Sequence, residues 1–293
     1  MNEQQLQIPG TETKRRMRKG MYLLPSMFTA GNIFLGFYAI SQAIQGTLAD
    51  YSHFDIAAKL IGVAVLLDGL DGRIARMTNT TSDFGRELDS LADAITFGVA
   101  PAVLAWMWGF HLLPAMDDPE IRMNLVRFGW LACFVFLTAG VARLARFNIQ
   151  LNPQPSNPGR PGRKYFVGMP IPAGAGIIAA VVHLARGAPI GSSPWGPWWI
   201  GALWLLLLFA IAFLMVSTWR FYSFKDIDFR SRRPFRVFIF VAALGASIIF
   251  YSNYSLFFIA IAYMLSGVLA RLFYLLRRKS SPPPTYTAAP ETR

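Results

Sequence analysis

Cysteine is nearly absent from this chain: Cys133 stands alone among 293 residues. That excludes an intrachain disulfide framework, and Cys133, set inside an apolar run, reads as packing. Histidine is scarce too, with three residues, and Asp plus Glu number 16 against 28 Lys plus Arg. Only 15% of the chain is charged while 54% is hydrophobic, and mean hydropathy is +0.39. This balance excludes an ordinary soluble domain and fits a chain solvated by lipid. A net charge of +12 raises nucleic acid as a partner. The basic groups, however, flank apolar runs, which is the pattern that anionic lipid and the positive-inside rule produce, so no nucleic acid is expected.

What the sequence has in abundance is membrane-length apolar runs. Stretches of about 20 such residues fall near 22–44, 54–76, 85–108, 128–149, 167–185, 198–218, 236–252 and 256–276. The expected fold is all-α, a polytopic membrane protein of about eight transmembrane helices. Charges dilute the second to fourth runs, which leaves about six or seven crossings as the alternative. On the eight-helix scheme Lys59, Arg122, Arg127 and Arg186 lie on one side, and the other 24 of the 28 basic residues lie opposite. Both termini are then cytoplasmic. Residues 1–20 form a basic N-terminal segment, 21–278 the transmembrane domain, and 279–293 a Pro-rich tail expected to be disordered. The run Lys14-Arg15-Arg16-Met17-Arg18-Lys19 anchors topology and does not belong to a signal peptide, because the apolar segment after it has full membrane length.

Acidic residues are few, and four of them are concentrated at the edge of the membrane. Asp68, Asp71, Asp89 and Asp93 lie at the cytoplasmic ends of the second and third runs, where each ionised side chain costs roughly 2.5–3.5 kcal/mol. Asp68, Asp71, Gly72 and Ala75 fall within about 100° of arc on one helix, and Gly85, Asp89 and Asp93 share a face of the next. Carboxylates so placed raise one another's pKa unless cations neutralise them. A hard oxygen donor set without His or thiolate favours Mg²⁺ or Mn²⁺, held jointly with a substrate phosphate.

The order Asp68, Asp71-Gly72, Ala75-Arg76, eight residues, Gly85, Asp89, Asp93 resembles the signature of the CDP-alcohol phosphotransferase family. Three further stretches resemble its bacterial phosphatidylserine synthase branch: Ser90 to Pro101, Ala142-Arg143-Leu144-Ala145-Arg146-Phe147-Asn148, and Gly168-Met169-Pro170-Ile171-Pro172-Ala173. The segment Met215 to Lys225 fits the same branch. The resemblance implies transfer of a phosphatidyl group from CDP-diacylglycerol to the L-serine hydroxyl with release of CMP. The setting it implies is the bacterial cytoplasmic membrane, with the site facing the cytoplasm. It implies a metal site at Asp68, Asp71, Asp89 and Asp93, and a CDP surface including Gly72, Ala75, Arg76 and Gly85. It also assigns the general base to Asp93, and it makes a homodimer an expectation. Relatives using glycerol phosphate, inositol phosphate or choline are the nearest alternative. A transporter is more distant, because its site belongs near the bilayer midplane and comes with repeat symmetry.

The remaining site residues are less sharply indicated. Arg143 and Arg146 are three apart on one helical face beside Asn148 and can bind a carboxylate or phosphate, or simply flank a span. Lys225, with Arg220, Tyr222 and Ser223, is a second such group. Thr29 and Asn32 share a face of the first helix and read as interhelical glue, while their resemblance to the family's first-helix pattern implies nucleotide contacts. His53, His111 and His183 fall toward the non-cytoplasmic ends and are expected to pack rather than to act as bases. Gly168, Pro170 and Pro172 mark a helix break.

Overall fold

The computed structural model describes residues 10–78, 83–151, 165–192, 197–222 and 234–277. Helices dominate: α1 (Gly10–Gln45), α2 (Ser52–Thr78), α3 (Asp83–Asp93), α4 (Ala100–Trp106), α5 (Pro119–Leu151), α6 (Ile171–Leu184), α7 (Pro197–Val216), α8 (Pro234–Phe250) and α9 (Ser252–Arg277). Two π-helical segments, Ala94–Val99 and Met107–His111, make α3 and α4 one continuous rod. Among the described residues there are thus eight helical rods at the expected places. Five stretches are long and apolar enough to cross a membrane: Met27–Gln45, Phe84–His111, Pro119–Ile149, Trp198–Val216 and Ser252–Phe273. The three rods outside that set leave the count of eight crossings unestablished. Charge dilutes α2, and α6, at about 1.5 Å per residue, falls short of a hydrocarbon core of about 30 Å.

Small residues let the rods approach closely. Ala39 and Ala43 on α1 face Phe54, Ala57, Ala58, Ile61 and Ala64 on α2, all buried, and Gly46 leaves the space that the Phe54 ring fills. Close backbone approach through small side chains is how helices gain dispersion contact where lipid supplies no hydrophobic drive. α2 packs in turn on α6, α6 on α9, and α5 on α7. Trp204 of α7 fills the notch at Gly109 and donates its indole N–H to the Ala105 carbonyl at 3.2 Å. Large apolar side chains such as Phe34, Phe37, Leu66 and Phe258 point outward, as a lipid-facing surface requires.

One feature departs from the all-helical expectation. Strands β1 (Tyr165–Val167) and β2 (Arg220–Tyr222) pair antiparallel, Phe166 opposite Phe221. Gly168 follows at φ +77°, its N–H bonded to the Trp219 carbonyl at 2.8 Å, and the Met169 N–H reaches the Leu214 carbonyl at 3.0 Å. A left-handed residue suits glycine. The Gly-Met-Pro-Ile-Pro break therefore ends a ribbon docked on the end of α7, and α6 begins at Ile171 behind Pro170. Helix α1 starts at Gly10, so residues 10–20 continue the first helix. Residues 279–293 lie outside the described residues.

Candidate functional site

Asp68 projects from α2, and Asp89 and Asp93 project from successive turns of α3. Each offers a carboxylate oxygen, and these oxygens lie within 4.8 Å of one another at half-buried positions. The helical phase explains the convergence: Asp89 and Asp93 are four apart on one face, and that face meets the part of α2 that carries Asp68. Three carboxylates so close are stable as anions only beside cations, and their donor set fits a hard divalent ion. Asp71, Gly72, Ala75 and Arg76 lie on the α2 backbone, but their side chains lie outside the described residues. Lys225 and Ser223 lie outside them altogether. Gly85 sits one turn ahead of Asp89, on the carboxylate-bearing face of α3.

The first helix comes into the same neighbourhood. Thr29 and Asn32 are 5% and 3% exposed, and α1 packs against α3. The Asn32 main-chain carbonyl accepts a hydrogen bond from the Thr96 hydroxyl at 2.9 Å, just beyond Asp93. The Asn32 side-chain oxygen is buried with no hydrogen-bond partner, a costly arrangement for an amide.

Helix α5 brings the basic residues, and they part company. Arg143 is buried, its Nε has no hydrogen-bond partner, and its guanidinium lies 6.0 Å from the Phe147 ring centroid. Its titratable neighbours are Tyr263, Arg146 and Asp93, so it lies near the carboxylate site. Arg146 acts as a clamp, donating Nη1 to the Val216 carbonyl at 3.2 Å and Nη2 to the Val167 carbonyl at 3.3 Å. Those bonds tie β1 to the end of α7. Asn148 donates to the Ser90 hydroxyl at 2.9 Å, linking α5 to the residue after Asp89.

Tyr263 is a site neighbour that the sequence alone does not single out. It lies on α9, packed 5.8 Å from the Phe221 ring, and brings a phenol toward Arg143. A polar ring in the most apolar part of the C-terminal helix is the available signal, but its partner is 120 residues away in sequence.

The histidines gather away from the carboxylates, as expected of packing residues. His183 bonds Asp55 through Nδ1 at 2.5 Å and Ser252 through Nε2 at 3.0 Å, while Asp55 pairs with Lys59 at 2.7 Å. His53 contacts the Gln42 amide oxygen at 2.7 Å. His111 lies beside the Trp106 ring. Asp55 and Asp68 are thirteen residues apart on α2, about 20 Å along its axis. The His183 cluster joins α2, α6 and α9 as polar glue. Just before it, Asp50 accepts from the N–H and hydroxyl of Ser52, which hold its carboxyl below the usual carboxylate range.

Comparison with known proteins gives the family. Residues 22–203 match the family described as CDP-alcohol phosphatidyltransferase. A Helicobacter pylori protein named CDP-diacylglycerol–serine O-phosphatidyltransferase is 37% identical over 224 residues, covering 76% of this chain and 81% of the relative. A Mycobacterium leprae protein of the same name is 34% identical over 235 residues, covering 79% and 68%. With Asp68, Asp89 and Asp93 of the signature converging on one site and most of both chains aligned, this chain belongs to the CDP-alcohol phosphatidyltransferase family.

Proposed function

We propose that this chain is a membrane-embedded phosphatidyltransferase that joins the phosphatidyl group of CDP-diacylglycerol to the hydroxyl of L-serine and releases CMP. The observation that carries the reading is the convergence of Asp68, Asp89 and Asp93 in a chain whose relatives are named for that reaction. Serine is preferred to other alcohols on those names and on the α5 segment containing Arg143 and Asn148.

Asp68, Asp71, Asp89 and Asp93 would hold divalent metal, Mg²⁺ or Mn²⁺. When bound, it neutralises the pyrophosphate and stabilises the departing CMP. Asp93 takes the proton of the serine hydroxyl as that oxygen bonds to the phosphorus carrying the diacylglycerol. The bond from this phosphorus to the oxygen bridging to CMP breaks, and that oxygen leaves with CMP. Arg143 provides a buried positive charge for the serine carboxylate, and Asn148 orients the approach through Ser90. Thr29, Asn32, Gly72, Ala75, Arg76 and Gly85 form the face for the CDP portion, with glycines where a side chain would obstruct the nucleotide. A site near the headgroup layer leaves the acyl chains in lipid and limits competing hydrolysis. The carboxylates face the cytoplasm of a bacterial inner membrane, following the distribution of Lys and Arg, and the functional unit is a homodimer.

Purified protein supplied with CDP-diacylglycerol and a panel of alcohols tests this reading. Serine should support CMP release, chelation should abolish it, and Mg²⁺ or Mn²⁺ should restore it. Preference for glycerol phosphate, inositol phosphate or choline would reassign the acceptor, and full activity after exhaustive chelation would refute the metal site.

A further inference from the structure

The rod that carries Asp89 and Asp93 changes helix type at the residue after Asp93. Residues Ala94–Val99 are π-helical, a wide turn found mostly as a local bulge and often at functional sites. The added residue shifts the helical phase by about 100°, so the residues after Asp93 face other neighbours than an unbroken α-helix would meet. Three residues use this phase. Thr96 is fully buried and bonds the Asn32 carbonyl of α1 at 2.9 Å. Phe97 is fully buried in the core. Gly98 faces α5, where a Cβ would sit 2.9 Å from the Leu137 side chain.

The contact with α1 sets the Thr96 side chain and Cα against the main chain of α1. A Cβ at Gly36, one turn beyond Asn32, would lie 2.6 Å from Thr96 Oγ1 and 2.8 Å from Thr96 Cα. Thr96 therefore fits directly against α1 between Asn32 and Gly36, and its hydroxyl fixes the axial register of the two helices. The Asn32 side chain, with its buried oxygen, rides on the same turn.

We propose that Thr96 is a positioning residue, which through the Asn32 carbonyl sets the placement of the nucleotide face of α1 against the carboxylates of α3. This rests on the assignment of Asn32 and Thr29 to the face for the CDP portion. Thr96 touches neither substrate nor metal; it acts on where Asn32 stands relative to Asp93. The consequence is selective, since losing the hydroxyl loosens the nucleotide side while the carboxylates, held on α2 and α3, keep their mutual geometry.

The test uses the full-length protein in lipid–detergent micelles with Mg²⁺. CDP binding, KM for CDP-diacylglycerol, KM for serine, metal half-saturation and melting temperature are measured for the wild type, Thr96→Val, Thr96→Ser and Gly36→Ala. Thr96→Val should weaken CDP binding and raise the KM for CDP-diacylglycerol by about tenfold, a modest share of what an ångström-scale displacement costs. Serine KM and metal half-saturation should stay near their wild-type values. Thr96→Ser, which retains the hydroxyl, should restore CDP binding, and Gly36→Ala should reproduce the Thr96→Val defect by pushing α1 away. Unchanged CDP affinity in folded Thr96→Val, or a defect that persists undiminished in Thr96→Ser, would overturn the proposal. A wild type that binds CDP but releases no CMP with serine would sink the acceptor reading alone, because the CDP titrations still decide the role of Thr96.

Discussion

Asn148 of α5 donates its side-chain amide to the Ser90 hydroxyl of α3 at 2.9 Å, and the same hydroxyl reaches back to the Arg86 carbonyl at 3.1 Å. The helix offering Arg143 is thereby pinned to the turn that carries Asp89. Asn148→Leu keeps the approximate volume and removes the link. Serine-dependent kcat/KM should fall about tenfold, whereas an ordinary neutral hydrogen bond contributes only about 0.5–1.5 kcal/mol to stability, so the melting temperature should move little. Unaltered kinetics would show that the link serves packing alone.

Asp93 and Asp68 should respond differently to amide substitution. Loss of a general base costs about 10²–10⁴-fold in rate. Asp93→Asn should lower serine-dependent CMP release by that order and leave CDP-diacylglycerol binding largely intact. Asp68→Asn should in addition raise the metal concentration giving half-maximal rate. Initial rates against metal concentration separate the two roles, and near-normal turnover in Asp93→Asn would remove it as the base.

Gly168 holds the ribbon against α7 at φ +77°. An alanine there would place its Cβ 2.6 Å from the Met215 carbonyl oxygen and 2.9 Å from that of Ser217. The left-handed backbone alone costs about 1–2 kcal/mol for a residue with a Cβ, and these contacts add to it. Gly168→Ala should therefore lower the melting temperature clearly, and undiminished stability would mean that the ribbon is not docked in this way.

Topology gives a separate check. In a Cys133→Ser background, a cysteine replacing Asn79 should react with a membrane-impermeant thiol reagent from the cytoplasmic side. One replacing Asp117 should react from the outside. Labelling of position 79 from the outside only would invert the orientation derived from the basic residues.

The sequence by itself determined the helical class, the places of the rods and the shared face of Asp89 and Asp93. Apolar runs of membrane length and a fixed helical repeat are local properties, so Asp89 and Asp93 share a face whatever surrounds them. It could not separate Arg143 from Arg146, which have the same side chain three residues apart. Only the packing of α5 gives the first a buried position near Asp93 and the second two carbonyls to clamp. The β1–β2 ribbon was equally illegible, because strands of three residues carry too little periodicity and their pairing spans more than fifty residues. The π-helical phase after Asp93, which places Thr96 on the Asn32 carbonyl, and the approach of Tyr263 to Arg143 are likewise products of tertiary contact. Local propensity sets what each segment is, while the meeting of distant segments depends on how their side chains pack together.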